Sequence, residues 1–434
     1  MIKEFVDKCY PRFGENKRQE ITRLLYEISK REGIEFRELI KDCPPELSRF
    51  NGLKDYLLKR RFPCSTANNQ KIRCLLPKLE INPRFKVNVN IEKKEFNPKH
   101  VYIEDAAEQS YLTRRMKAMF PNAKFETISS YKKYIQDRQY SLEDYNDRLD
   151  HCFLTKERFD FFKRCPCTPK AAPCGYHLIN LGIGCAYECT YCFLPAYLNS
   201  PGIVFPTNID DFFDKFKEYP HNIRIGSGEF TDSLVFDHIT QYSPLIVNFF
   251  KSYPEATFEF KTKSINIDLL TSIKSGGNIV VSWTVNPPAV ANAIENLAPP
   301  VEERLKAAVQ CQASGYLIGF HFDPIVYYDG WENDYQWLVN QIFDNIDAEN
   351  IAWISLGTLR MTQILKKTIE NRFPENKILD EELFTGYDDK IRYDLKVRKS
   401  IYEKMTKWIR QRSSKVFVYL CMEDARLNKE ILKQ

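Results

Sequence analysis

Apolar positions in KRQEITRLLYEISKRE (17–32) fall at Ile21, Leu24, Leu25 and Ile28, the i, i+3, i+4, i+7 spacing of an amphipathic helix. A second helical stretch, GLKDYLLKRRF (52–62), has a basic end, and Pro44-Pro45 breaks the chain between the two. Residues 1–62 therefore read as a helical N-terminal domain. From 63 to 100 the pattern is loop-like, with one alternating run, FKVNVNI (85–91), and reads as a linker or small satellite structure. Residues 101–176 open on strand-like VYIE (101–104), pass through helical AAEQSYLTRRMKAMF and return to a strand in KFETIS. This predicts a small α/β segment built on a βαβ unit.

From 177 to 425 the rhythm is regular. Short apolar runs recur at HLINLGI (177–183), NIRIG (222–226), TFEFK (257–261), NIVVSW (278–283), YLIGFHF (316–322) and IAWISLG (351–357), separated by amphipathic helical stretches. Six successive strand–helix units predict a parallel sheet with right-handed crossovers. A last strand, KVFVYL (415–420), follows one more helix. The unit length suits either a doubly wound sheet or a barrel.

The 434 residues are 43% apolar and 28% charged, which excludes a disordered, collagen-like or coiled-coil chain. No run of about eighteen uncharged apolar residues exists, so no membrane span is expected. Lys3, Glu4, Asp7 and Lys8 interrupt the N-terminus, which therefore lacks a secretion signal, and a soluble, cytoplasmic protein is expected. The net charge of +5 is unevenly spread: residues 1–100 carry 23 Lys and Arg against 14 Asp and Glu. Such a front either docks onto something anionic, usually nucleic acid, or is a solvated appendage; charge leaves both open.

Thirteen cysteines are unusual. Cys9, Cys43, Cys64, Cys74, Cys152, Cys311 and Cys421 are scattered and read as small buried hydrophobes. Cys165, Cys167, Cys174, Cys185, Cys189 and Cys192 are clustered, which in a reduced compartment points to metal or catalysis. GIGCAYECTYCFLPAYL (182–198) leaves a strand end with the spacing Cys185-x3-Cys189-x2-Cys192. Three thiolates so spaced can ligate three irons of a cubane cluster and leave the fourth open. A structural zinc would need a fourth ligand from far away in sequence.

This motif resembles the radical S-adenosylmethionine (SAM) superfamily. The resemblance implies a 4Fe–4S cluster on Cys185, Cys189 and Cys192 whose open iron chelates SAM, and reductive cleavage of SAM to a 5′-deoxyadenosyl radical. It also implies an electron donor such as flavodoxin or ferredoxin. Gly226-Ser227-Gly228-Glu229, ending the second strand, looks like the superfamily's Gly-Gly-Glu turn, which holds the SAM amino group.

More narrowly, the chain from VYIE to the last strand resembles the spore photoproduct lyase family. The matching stretches include GCAYECTYCFLPAYL, SGEFTDSLVFDHIT, FKTKSINIDLL, VVSWTVN and GYLIGFHFDPIVYYDGWE. The implied fold is α/β: a partial (β/α)6 TIM-like barrel of the radical SAM type, with the small α/β segment and helical domain ahead of it. The implied site residues are Tyr191 beside the cluster, Lys263 and Ser282 near SAM, and Asp232 or Ser233 near its amino-acid end. The implied activity is a radical reaction on nucleic acid, DNA repair or modification. A peptide or small-metabolite substrate, or a non-catalytic iron–sulfur or zinc module, are the alternatives.

The chain departs from the family at two places. Phe230 stands where the lyases carry a hydrogen-donating cysteine, and Phe193 where they carry a tyrosine after the third cluster cysteine. The region matching the family's DNA-inserted hairpin is ELFTGYDDKIRYDLKVRK (382–399). Gly386 would allow its turn and Lys390, Arg392, Lys396, Arg398 and Lys399 could face phosphate, whereas Asp388 and Asp389 at the tip argue against close approach. Arg360, at a strand end, reads as a grip for an anionic substrate or as a salt bridge at the rim. Cys165, Cys167 and Cys174 read either as an auxiliary iron–sulfur or zinc site, with His177 as a possible further ligand, or as a Pro-stiffened loop. Cys421 is a substitute hydrogen donor or a buried thiol.

Overall fold

In the computed structural model the 17–32 period folds as expected. Helix Glu15–Glu32 stops at Gly33, whose φ of 67° is the left-handed conformation that glycine adopts at helix ends. Its Ile21, Leu24, Leu25 and Ile28 share a core with Val6 of helix Ile2–Cys9 and with Leu53, Leu57 and Leu58 of helix Phe50–Arg61. The structure describes all residues except 1, 42–48, 64–88, 90, 93, 137, 139, 159–162, 169–170, 173, 198–199, 220–221, 387 and 433–434. The expected strand at 85–91 and the Pro44-Pro45 break thus lie largely or wholly outside the described residues, as do Cys43, Cys64 and Cys74.

The chain divides into two units, residues 1–86 with 359–398, and residues 87–358 with 399–434. This division differs from the expected domain boundaries, which placed 359–398 with the barrel. That segment forms helix Gln363–Arg372 and a small antiparallel sheet of Arg360–Met361, Ile391–Tyr393 and Leu383–Thr385. Phe384 packs on the core of the N-terminal helices, and Arg61 donates to the carbonyls of Leu379 and Glu381 at 3.3 and 3.0 Å. Two hairpin cations expected to face phosphate are instead buried: Arg392 pairs with Asp388, and Arg398 donates to the Tyr393 carbonyl at 3.1 Å. Asp388 at the tip is explained by that pairing.

Glu27 sits between Arg23 (2.7 Å) and Arg61 (2.8 Å) in this unit. Burial opposes its ionisation, but Arg23, Arg61 and Lys366 prevail and hold the carboxyl at about 2. A depressed carboxyl contributes stability above its unfolded pKa, and that contribution disappears as the pH falls toward 2. Wild type should therefore lose on the order of 3 kcal/mol from this site between about pH 5 and pH 2. Denaturant titrations at several pH values should show a flatter acid limb for Glu27→Gln; an identical acid limb would remove the assignment.

The second unit holds two sheets. The smaller is parallel, in the order Lys124–Ile128, His100–Glu104, His151–Thr155, Ile203–Pro206. Its first two strands flank helix Tyr111–Met119, capped by the Ser110 hydroxyl, and are the βαβ unit read from the sequence. The other two are apolar runs buried on both faces, so they lack the alternation that marks a strand.

The larger sheet has the order Val418–Leu420, Ile351–Thr358, Leu317–Ile325, Ile279–Thr284, Thr257–Thr262, Arg224–Ser227, Tyr176–Ile179, Lys163–Arg164. All but the last strand run parallel, and each coincides with one of the apolar runs. Its ends meet: Ala171, beyond one edge, bridges Asp424, beyond the other, and Arg224 donates to the Tyr419 hydroxyl at 3.0 Å. The sheet is thus curled into a partial barrel. Among the described residues no helix is long and apolar enough to cross a membrane.

Candidate active site around the cysteine loop

The chain leaves strand Tyr176–Ile179 and enters the 182–198 loop between the two sheets, where Ile183 and Val204 exchange backbone hydrogen bonds of 2.9 Å. Glu188–Cys189 then pairs antiparallel with Glu295–Asn296, and Thr190 donates to the Ile294 carbonyl at 2.8 Å. From the small α/β segment comes Arg148, buried to 2% exposure. It pairs with Glu188 at 2.5 Å and donates to the carbonyls of Cys185 (2.8 Å) and Tyr187 (3.0 Å). The loop is thus pinned from both sides. Sequence reading missed Arg148, although a charged Glu188 inside an otherwise apolar cysteine motif signals a buried partner.

Cys185 and Cys189 are buried and Cys192 half-buried. The Tyr187 amide is directed at Cys185 Sγ (3.4 Å), and the Leu194 amide hydrogen-bonds Cys192. Each thiol lies in the electrostatic field of another, and burial pushes Cys185 up to about 12 and raises Cys189 and Cys192 as well. Three thiols on one loop, with amides directed at sulfur, are a donor set suited to an iron–sulfur cluster with one open iron. Among the described residues no three Cys, His, Asp or Glu side chains are already set to hold a metal.

A polar network backs the loop. Glu295, 3% exposed, accepts from the Tyr191 hydroxyl (2.5 Å) and Asn286 (3.0 Å) and pairs with Arg304 at 2.6 Å. Asn286 in turn accepts from Tyr335 at 2.7 Å. Burial, then Glu295 and Cys189, hold the Tyr191 phenol well above its usual range, so it stays protonated. The Lys263 ammonium is 5.4 Å from the Tyr191 ring centroid and is an electrostatic neighbour of Cys189. Tyr191 and Lys263 are therefore brought together beside the cysteines, while Glu295, Arg304 and Asn286 were not legible in sequence.

The remaining candidates divide. Asp232 accepts from Leu234, Val235 and Thr262 at 3.0, 3.0 and 2.6 Å and from the Lys263 amide at 2.7 Å. Ser233 joins Ser227 (2.8 Å) to the Lys261 amide (3.0 Å). Both join the turn after Arg224–Ser227 to the end of Thr257–Thr262. Glu229 pairs with Lys163 at 2.9 Å. Gly228 has a φ of 100°, which disfavours any side chain; a Cβ on Gly226 would fall 1.5 Å from the Tyr176 hydroxyl. Ser282 is fully buried and donates to Glu259 at 2.5 Å inside the barrel. Arg360 belongs to the other unit, in the strand paired with Ile391–Tyr393.

At the family's donor position, Phe230 packs on the cluster of Tyr145, Cys185 and Leu194, with Cys192 and Tyr187 around it. Its ring lies 6.3 Å from Phe193, which stacks edge-on to Tyr197 at 5.7 Å, and Lys163 sits 5.0 Å above it. An aromatic wall carrying one cation thus flanks the cysteines.

The chain is 29% identical over 218 residues to the spore photoproduct lyase of Geobacillus sp. (strain Y412MC61), covering 48% of this chain and 64% of that protein. It is 25% identical over 300 residues to that of Bacillus subtilis (strain 168), covering 66% of this chain and 86% of the relative. A spore photoproduct lyase solved in complex with dinucleoside spore photoproduct superposes with a TM-score of 0.65 at 25% identity, over 75% of this chain and all of that one. The family model described as Spore photoproduct lyase matches residues 96–421, and the chain belongs to that family.

Proposed function

We propose that this chain is a radical SAM enzyme acting on nucleic acid, with a 4Fe–4S cluster on Cys185, Cys189 and Cys192 and SAM at the open iron. The observation that carries the reading is the pinned three-thiol loop with amides directed at its sulfurs. When bound, cluster and SAM together supply a 5′-deoxyadenosyl radical that takes hydrogen from the substrate. In this reading Lys263 offsets negative charge at the cluster, and the Gly226–Gly228 turn with Glu229 holds the SAM amino group. Asp232 and Ser233, whose oxygens are already engaged, position the Lys263 strand end. Tyr191, its hydroxyl held by Glu295, keeps its ring beside Cys192 and Lys263. Ser282 acts inside the barrel through Glu259. An electron donor of the flavodoxin or ferredoxin class completes the proposal.

The substrate class rests on the family and on the basic front. Many of the front's described cations are paired, such as Arg18 with Asp7, Lys54 with Glu20 and Arg60 with Glu32. Part of the surplus lies in residues 64–88, outside the described residues.

Anaerobic reconstitution with iron and sulfide, followed by SAM and a reductant, should yield 5′-deoxyadenosine, and deuterated oligonucleotides should pass label into it. An intact cluster with no 5′-deoxyadenosine refutes the enzyme reading. A second reading, a peptide or small-metabolite substrate, draws on Phe230 and Phe193 replacing hydrogen donors and on the burial of Arg392 and Arg398. No DNA or RNA binding at low salt, with 5′-deoxyadenosine still formed, decides for it.

A further inference from the structure

Cys165, Cys167 and Cys174 lie between the edge strand Lys163–Arg164 and the strand Tyr176–Ile179, while Cys421 directly follows Val418–Leu420. The fold lays these two segments side by side. Ala171 bridges Asp424, Ala172 donates to the Glu423 carbonyl at 3.0 Å, and the Thr168 hydroxyl lies 3.9 Å from Met422 sulfur. Backbone bonds set the cysteines' positions: Cys165 N to Tyr176 O (2.9 Å), Cys167 N to Cys165 O (2.7 Å) and Cys421 N to Leu356 O (2.8 Å).

Along this seam the side chains of Cys165 and Cys167 are hydrogen-bonded, as are those of Cys167 and Cys174, and Cys421 is an electrostatic neighbour of Cys165. None of the four is in a disulfide, and none belongs to the 182–198 loop. Cations and an amide face them: Lys261 toward Cys165, Arg224 toward Cys174, and the Tyr176 backbone hydrogen-bonding Cys174. The sequence showed three of these thiols and left the fourth ligand to His177; the tertiary structure supplies Cys421.

We propose that Cys165, Cys167, Cys174 and Cys421 hold one divalent zinc ion in a closed four-thiolate site. Four soft donors and no open position describe a structural zinc site, not a catalytic one. Four thiolates around a dication carry a net negative charge, which Lys261 offsets in part. As at the 182–198 loop, these thiols are not yet set to hold a metal, and the ion would draw in their rotamers. The ion would clasp the two ends of the barrel sheet, since one segment borders Lys163–Arg164 and the other ends Val418–Leu420. The assignment does not depend on the proposed reaction.

The test uses the full chain expressed in zinc-supplemented medium, with metal analysis before and after cluster reconstitution. Wild type should carry about one zinc per chain in addition to iron. Cys421→Ser and, separately, Cys174→Ser should lose at least about nine-tenths of the zinc while keeping reconstituted iron. Cobalt(II) in place of zinc should give thiolate-to-metal charge-transfer absorption that both variants lose. If Cys421→Ser does not fold, the Cys174→Ser variant, changed at an exposed position, decides. Wild type without zinc or the cobalt signature, zinc retained in Cys174→Ser, iron with sulfide at this site in a chain lacking Cys185, Cys189 and Cys192, or a disulfide among the four each overturns the proposal.

Discussion

Arg148→Met is expected to lose most of the reconstituted iron and to destabilise the second unit by about 3–5 kcal/mol, because it leaves the Glu188 carboxylate buried and unpaired. The two residues are 3% and 4% exposed in their side chains, so water cannot replace the lost partner. Two effects are separable. The charge cost belongs to the Arg148–Glu188 pair, whereas the loop's position depends on the guanidinium bonds to the Cys185 and Tyr187 carbonyls. The double variant Arg148→Met/Glu188→Leu should therefore recover most of the stability but not the iron. Chemical denaturation and iron analysis on the same preparations check both. Full iron and unchanged stability in Arg148→Met would show that the loop does not depend on this clamp.

Glu259→Ala should be the most damaging single change inside the barrel. Glu259 is fully buried, with one oxygen accepting from Ser282 (2.5 Å), His321 (2.7 Å) and Trp353 (3.1 Å) and the other facing Arg224 at 3.2 Å. Burial opposes its charge, yet Arg224, His321 and Ser282 hold the carboxyl well below the usual range. Alanine leaves Arg224, itself stacked 3.6 Å from the Trp353 ring centroid, without its counter-ion and orphans three donors. The loss should again be about 3–5 kcal/mol. Glu259→Gln, which keeps an acceptor for Ser282 and Trp353, should lose clearly less. Equal midpoints for alanine and wild type in urea would overturn the argument. Ser282→Ala should resemble a mild version of the same defect.

The proposed radical site was largely legible because its donors are local. Cys185, Cys189 and Cys192 fall within eight residues, and a loop of that length determines its own donor set. The barrel strands were legible for a similar reason: each is a short, largely apolar run between helical periods. Strands such as His151–Thr155 and Ile203–Pro206 were not, since the small sheet's order joins segments distant in sequence. Ser282 shows what spacing leaves open. Its place at a strand end suggested the barrel mouth, but register sets it against Lys261, facing the buried Glu259.

Spacing along the chain, then, was sufficient for the helices, the barrel strands and the three-thiol loop, because hydrophobic period and ligand spacing are local properties. The tertiary structure alone decided that residues 359–398 join the N-terminal helices, that Arg148 and Glu295 brace the cysteine loop, and that the Cys421 segment runs beside the Cys165 segment. Each of those is a pairing between buried charges, thiols or edge strands far apart in sequence. Which distant partner satisfies a buried polar group depends on how the sheets curl and pack, and no local period carries that information.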